Sequence, residues 1–240
     1  LFRSEYIGFV DCDDVPDTKM YELLYAKAKE GDYDMVDGGF IYEGKDTIVL
    51  YTGDEDTGVL NAKKRSRLIM RGGYLWSKLV RRELIEKYHL RFRERVPMLE
   101  DSDFLDFLFS TAFNIGNLKE IIYNYKNTDD SLSKKRDRES YCGSLYEAMK
   151  GTWEKEHVLP NFKKLRYALD YGMLQFYSFA VNACLESHIA KEDFPALEML
   201  EKLRKLRRKT VSPGYNNEKL KKTLPTLDVA IMQMNDDDPK

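Results

Sequence analysis

The sequence is poor in the residue types that indicate a metal-ligand cluster or a disulfide framework. Its 240 residues include only three cysteines and three histidines, and neither set has metal-ligand spacing. An odd number of cysteines favours a reducing cytoplasm over a disulfide-stapled secreted domain. Net charge is also small, with 39 Lys+Arg against 41 Asp+Glu. A protein that coats nucleic acid would carry a basic excess, so this balance argues against that class.

Long hydrophobic runs are lacking as well. The most apolar stretch, residues 171–184, contains polar residues and is shorter than the roughly 20 apolar residues that a membrane-spanning helix needs. The first residues show no basic flank followed by an apolar run, so we expect neither a transmembrane helix nor a signal peptide. The first residue is Leu rather than Met, and we expect the numbering to begin inside a longer protein. The predicted location is cytoplasmic.

The residues that are present indicate a folded α/β protein with a helical extension. Hydrophobic residues make up 42% of the chain and aromatic residues 12%, which suits one domain or one domain with an appendage. Residues 1–135 alternate short apolar runs with amphipathic helical segments, whereas residues 136–240 show helical periodicity only. We predict an α/β catalytic portion, then an all-helical region, with the boundary near the basic run at residues 134–138.

The first candidate site follows a predicted strand. Residues 6–10 form a short apolar run, and Asp11, Asp13 and Asp14 come directly after it. Carboxylates at this spacing can share a hard cation such as Mg²⁺ or Mn²⁺, which would in turn bind a diphosphate. The alternative is an acidic turn that caps the next helix. The spacing of the carboxylates alone does not favour the metal site over the capping turn.

The second candidate site precedes a strongly apolar helix predicted for residues 102–113. Glu100 and Asp101 lie at its start, where the helix dipole favours an ionised carboxylate that can act as a general base. A plain helix N-cap is the alternative. Asp103 and Asp106 lie on the helix itself, and we assign them a solvated or structural role.

Two other segments carry candidate binding residues. Trp76 and Lys78 follow a Gly-Gly pair and could form a mobile wall with a ring face for a polar ligand; a core Trp beside a surface Lys is equally consistent. Basic residues crowd the end of the last long predicted helix, which favours either peripheral contact with anionic lipid or simple pairing of cations with the helix C-terminus. They are Lys202, Arg204, Lys205, Arg207, Arg208 and Lys209.

Taken in order, these segments resemble the family 2 glycosyltransferases of the GT-A fold, especially bacterial enzymes that build capsular, exopolysaccharide or teichoic-type glycans. The resemblance covers roughly residues 5–133. Four elements of the family have counterparts in this sequence. They are the strand with a D-x-D motif, the W-x-K-L segment, the E-D motif, and the Y-x-Y-R motif followed by an S-x-S motif. They correspond to residues 6–14, 75–85, 99–104 and 123–133.

The resemblance implies a partial GT-A fold and an inverting transfer of a sugar from a nucleotide-diphosphate donor to a hydroxyl of a glycan or lipid-linked acceptor. It assigns Asp13 to the Mn²⁺ or Mg²⁺ on the donor diphosphate and Asp11 to the nucleoside side of the donor. Asp101, with Glu100 beside it, takes the role of general base. In the family the nucleotide-binding strands precede the D-x-D motif, and only ten residues precede Asp11 here. We therefore expect the chain to lack that N-terminal segment.

The sequence is also compatible with other classes of function. A sugar nucleotidyltransferase also uses strand-end carboxylates and a metal, but the W-x-K and E-D segments fit it poorly. A truncated, non-catalytic glycosyltransferase-like module acting in assembly or membrane-surface docking is the alternative from a different class. A homo-oligomer is compatible with either. Neither a G-x-x-x-x-G-K phosphate loop nor a G-x-S-x-G elbow is present, which weakens P-loop NTPase and hydrolase interpretations.

Overall fold

The computed structural model describes residues 3–11, 14–94, 96–126, 137–213 and 231. The chain divides into two compact units, Leu1–Phe92 with Phe104–Ser131 and Arg93–Asp103 with Leu132–Lys240. The predicted boundary near residue 135 lies outside the described residues and stays a prediction. The grouping of Arg93–Asp103 with the helical unit is a feature that the sequence did not indicate.

The first unit is an α/β unit built on one mixed sheet. Its strands are β1 (Tyr6–Gly8), β2 (Met35–Tyr42), β3 (Gly58–Val59), β4 (Lys78–Arg81) and β5 (Asn114–Tyr125). Its helices are α1 (Met20–Glu30), α2 (Ala62–Arg71), α3 (Arg82–Lys87) and the part of α4 (Ser102–Thr111) from Phe104 onward. The strand order is β1-β4-β2-β5-β3, with β2 parallel to β5 and the other pairs antiparallel. The predicted α/β class is confirmed.

Helix α1 forms because its apolar residues recur at helical spacing. Met20, Leu24 and Ala28 are fully or almost fully buried on one face, in the core cluster that also contains Ile122 and Tyr123 of β5. Burial of one apolar stripe against a sheet is what stabilises a helix of this length. The segment between β1 and α1, which carries the acidic residues, is thereby held over the sheet.

The glycine pair in β2 differs from its sequence-based interpretation. The sequence suggests two short strands flanking Gly38-Gly39, whereas the structure has one continuous strand with register shifts at this point. A Cβ added at Gly38 would lie 2.2 Å from Cδ1 of Ile122, and one at Gly39 would lie 2.9 Å from the carbonyl oxygen of Glu120. The glycines therefore permit close approach of β5 and do not form a turn.

The second unit is helical, as predicted. It contains α5 (Arg138–Glu156), α6 (Phe162–Ala190) and α7 (Ala196–Thr210). The Sγ atoms of Cys142 and Cys184, both buried thiols, lie 3.5 Å apart between α5 and α6. None of the helices formed by the described residues combines the length and apolar character needed to cross a bilayer. A helix predicted for residues 217–222 lies outside the described part of the chain.

Candidate functional site

The acidic segment after β1 forms a turn that is fastened to β5. The backbone N–H of Asp14 donates to the carbonyl oxygen of Asp11 at 3.1 Å, and the N–H of Asp17 donates to that of Ile122 at 2.9 Å. Asp11 is exposed and Asp14 is half-buried. Asp13, the predicted metal ligand, lies outside the described residues. The turn therefore holds the carboxylates of Asp11 and Asp14 at one end of the sheet.

Tyr123 of β5 supplies a second attachment for this turn. Its hydroxyl donates to Oδ2 of Asp14 at 2.6 Å, while its ring is 1% exposed. Burial raises the pKa of Tyr123, and the hydrogen bond to the Asp14 carboxylate raises it further. The hydroxyl therefore stays protonated at neutral pH and keeps donating to Asp14. A bond of this kind to a charged acceptor is among the stronger hydrogen bonds in proteins.

Trp76 lies in the core beneath Tyr123. Its side chain is 4% exposed, and its ring stacks on Tyr123 with centroids 4.1 Å apart. The ring of Tyr74 also stacks on the ring of Trp76, with centroids 4.8 Å apart. The ring of Phe40 contacts Trp76 edge-on, also with centroids 4.8 Å apart. Such ring pairs add to the stability that burial provides. Trp76 thus supports the residue that holds the acidic turn, and its predicted contact with an acceptor stays a prediction.

Lys78 is fully buried and belongs to an ion pair. Its Nζ donates to Oδ1 of Asp37 at 2.9 Å and to the carbonyl oxygen of Tyr74 at 2.8 Å. Asp37, which is also fully buried, accepts from the hydroxyl of Ser77 at 2.7 Å and from the backbone N–H of Thr52 at 2.8 Å. The segment that follows Gly72-Gly73 is thus attached to β2 through Lys78 and Asp37. The alternative of a surface Lys78 is wrong, because its side chain is buried.

The E-D motif lies in the second unit. Glu100 and Asp101 are half-buried and come directly before α4, which begins at Ser102. Leu99 has a left-handed backbone with φ of +61°, a conformation that a branched side chain adopts only under constraint. Asp101 therefore lies at the start of a helix, two residues after a strained residue. Strain of this kind is concentrated at functional sites in proteins.

Asp103, near the motif, has the structural one of its two expected roles, with partners that the sequence did not reveal. Asp103 was expected to be solvated or structural, and it is completely buried. Its Oδ2 accepts from Nε of Arg93 at 3.0 Å and from Nζ of Lys155. The partners are 10 and 52 residues away in sequence, so only the composition of the segment, with its many charges, could have pointed to pairing.

The basic segment of α7 is largely paired within its own unit. Lys202 pairs with Glu198 at 2.8 Å, and Lys205 lies 3.6 Å from Glu201. Arg207 is buried, with its guanidinium 4.9 Å from the centre of the Tyr177 ring. These contacts fit the interpretation of a helix packed on its own domain. Peripheral membrane contact stays a prediction.

Solved structures share the fold of this chain. The chain resembles the structure of S. aureus TarS residues 1–349, with a TM-score of 0.52 and 14% identity over 87% of this chain and 68% of that one. The complex of the same TarS fragment with UDP-GlcNAc matches with a TM-score of 0.51, over 87% of this chain and 69% of that one. The fold is therefore a partial GT-A fold followed by a helical region, as predicted.

Sequence comparison finds similarity to glycosyltransferases in the N-terminal part of the chain. Residues 1–94 match the model of glycosyl transferase family 2. The chain is also 34% identical over 142 residues to the uncharacterized glycosyltransferase EpsJ of Bacillus subtilis (strain 168). That match spans 55% of this chain and 40% of the length of EpsJ. Residues 1–94 are thus similar to glycosyl transferase family 2, and the chain spans less than half the length of the curated relative that it matches.

Proposed function

We propose that the protein is an inverting glycosyltransferase that uses a nucleotide-diphosphate-sugar donor. The sugar is transferred to a hydroxyl of a glycan or lipid-linked acceptor. Asp11 and Asp13 bind the donor, and Asp101 takes the proton from the attacking hydroxyl with Glu100 beside it. The observation that carries the proposal is the acidic turn at the end of β1, anchored by Tyr123, in a segment that matches the model of glycosyl transferase family 2.

The acidic turn also suits a divalent cation, with Asp13 as its ligand. The described carboxylates of the turn, Asp11 and Asp14, offer only oxygen donors, the type that Mg²⁺ and Mn²⁺ prefer. Among the described residues no three His, Cys, Asp or Glu side chains form a group able to hold an ion, and the proposal adds Asp13 to the carboxylates of the turn. When bound, the cation neutralises charge on the departing diphosphate.

Asp101 acts in the transfer step as the acceptor of the proton. An ionised carboxylate at Asp101 accepts the proton of the acceptor hydroxyl as its oxygen forms a bond to the anomeric carbon. The bond from that carbon to the diphosphate oxygen breaks on the opposite face, so the configuration inverts. The dipole of α4 favours the ionised form of Asp101, which is the form that can act as a base.

Binding of donor and metal tests the proposal without requiring the acceptor. We use UDP-GlcNAc first, because the TarS structure of similar fold was determined with it. With Mn²⁺ and donor at about 100 times the dissociation constant, stability should rise by roughly 2.7 kcal/mol, which is a melting shift on the order of 5–10 °C. Asp13→Ala should abolish the shift, whereas Asp46→Ala, in an exposed loop, should retain it.

A panel of other nucleotide-diphosphate sugars extends the same experiment. The responding nucleotide identifies the donor. If no donor shifts the 240-residue chain or a version extended upstream in the presence of Mn²⁺, or if Asp13→Ala shifts as the wild type does, the proposed site is wrong. The non-catalytic module would then be the better description.

Tyr123→Phe tests whether the acidic turn must be held in place. The substitution keeps the ring against Trp76 and removes only the hydroxyl that donates to Asp14. Loss of such an orienting contact should weaken Mn²⁺ binding about tenfold, as measured by calorimetric titration in the presence of donor. Tyr125→Phe, in the same strand and ring stack, serves as the matched control. Equal Mn²⁺ affinity in the two variants would contradict the role given to Tyr123.

A further inference from the structure

A buried cluster of charges fastens the segment that carries the E-D motif. Asp103 has no exposed surface, and Oδ2 of its side chain contacts both Nε of Arg93 and Nζ of Lys155. The two cations are mostly buried, with side chains 16% and 18% exposed. A carboxylate removed from water in this way is stable only with well-placed partners, so the three side chains depend on each other.

Helix α5 provides the rest of the cluster. The guanidinium of Arg93 donates through Nη1 to Glu147 at 3.0 Å and through Nη2 to Glu154 at 2.8 Å. Lys155 belongs to the same helix, next to Glu154. Arg93 and Asp103 are the first and last residues of the segment that the second unit contributes before its helices. Both ends of this segment are therefore attached to α5.

Gly151 provides the space for these attachments. A Cβ added there would lie 2.0 Å from Oδ2 of Asp103 and 2.2 Å from Nε of Arg93. Glycine in the middle of a helix is unfavourable relative to alanine, so its presence in α5 needs a packing reason. The reason here is the approach of the two charged groups to the helix backbone.

The segment between the two attachments is strained where the motif begins. Leu99 has the left-handed backbone described above, and Asp101 follows two residues later. A strained conformation persists only when its surroundings fix it. The ion pairs of Arg93 and Asp103 with α5 supply such fixed points on either side of Leu99.

We propose that the cluster of Arg93, Asp103 and Lys155, with the space at Gly151, positions the carboxylate of Asp101. These are positioning residues, and the helical unit contributes to catalysis by holding the base in place. This inference rests on the proposed function, because it takes Asp101 to be the base. A base displaced by about 1 Å can lose on the order of 100-fold in rate.

Substitution of Lys155 tests the inference on the full chain. Lys155→Met should lower kcat for UDP-GlcNAc turnover by about 10- to 100-fold, with the KM for donor changed less than twofold because donor binding uses other residues. Lys155→Arg, which keeps the charge, should restore at least half of the wild-type kcat. Lys163→Met, which removes an exposed lysine of α6, is the control and should behave as the wild type.

Hydrogen exchange of the peptide covering residues 93–103 gives a readout independent of turnover. Lys155→Met and Asp103→Asn should each accelerate exchange in this peptide, and the double variant should be no worse than the stronger single one, because both break the same contact. Asp103→Asn also serves as the second variant if Lys155→Met does not fold. A wild-type rate of exchange in the folded variants would overturn the inference.

The two proposals fail in different ways. If neither the wild-type chain nor a version extended upstream turns over any donor, the proposed function is wrong and so is the assignment of Asp101 as the base. If the wild type is active and Lys155→Met has wild-type kcat, the proposed function stands and the positioning role is overturned. A fall in melting temperature with unchanged kcat would likewise show that the cluster only stabilises the fold.

Discussion

Asp101→Asn should reduce the kcat of donor turnover by about 100- to 10,000-fold, the range that removal of a general base produces. The amide has nearly the shape of the carboxylate but cannot accept a proton from the attacking hydroxyl at neutral pH. The KM for the donor should change little, because the lost interaction acts in the transition state. Turnover is followed by proton NMR with UDP-GlcNAc and Mn²⁺, water serving as acceptor.

The control for this variant lies in the same segment. Glu94 is an exposed carboxylate of Arg93–Asp103, and Glu94→Gln removes one charge as Asp101→Asn does. It should keep kcat within about twofold of the wild-type value, since exposed charges have small effects. If Asp101→Asn retained wild-type kcat, a different group would have to take the proton.

Lys78→Met should lower the free energy of unfolding by about 3–5 kcal/mol, the cost of leaving one partner of a buried ion pair alone. Lys78 and Asp37 have no exposed side-chain surface and lie 2.9 Å apart. Without the ammonium, the Asp37 carboxylate keeps only the hydrogen bonds from Ser77 and Thr52. Urea denaturation followed by tryptophan fluorescence measures the change, because Trp76 lies two residues away in the same segment.

An exposed ion pair provides the comparison. Lys119 pairs with Asp54 at 2.7 Å, but both side chains are about two-thirds exposed, at 66% and 69%. Lys119→Met should cost less than about 1 kcal/mol. Adding Asp37→Val to Lys78→Met should recover part of the lost stability, because the uncompensated charge is removed. A loss below about 1 kcal/mol for Lys78→Met alone would show that the buried pair is not a major contribution.

The sequence predicted those parts of the fold that local patterns determine. The apolar face of α1, the strand that ends before Asp11 and the apolar helix after Asp101 all follow from short-range periodicity, and the structure contains each of them. The α/β portion and the helical region were predicted for the same reason. Helix α2 was missed, because its sequence is mostly basic and carries only a short apolar face.

The features that the sequence did not reveal depend on distant partners. Lys78 was taken for a ligand-binding or surface residue, because its partner Asp37 lies 41 residues earlier. Asp103 was placed among solvated or structural residues, although Lys155 lies on a helix 52 residues later. The reason for the glycines of β2, the close approach of Ile122, is likewise visible only in the structure. Charge pairs and close packing of this kind are set by tertiary structure, which single-sequence patterns do not contain.

The configuration of the released sugar is the most direct test of the central claim. UDP-GlcNAc carries an α-linked sugar, and proton NMR distinguishes the anomers before they interconvert in solution. We expect the wild-type protein, with Mn²⁺, to release UDP together with the β-anomer, and Asp13→Ala or removal of the metal to stop the release. Release of the α-anomer would contradict the inverting mechanism, and a donor that stays intact, with no other nucleotide-sugar consumed in its place, would contradict the transferase assignment itself.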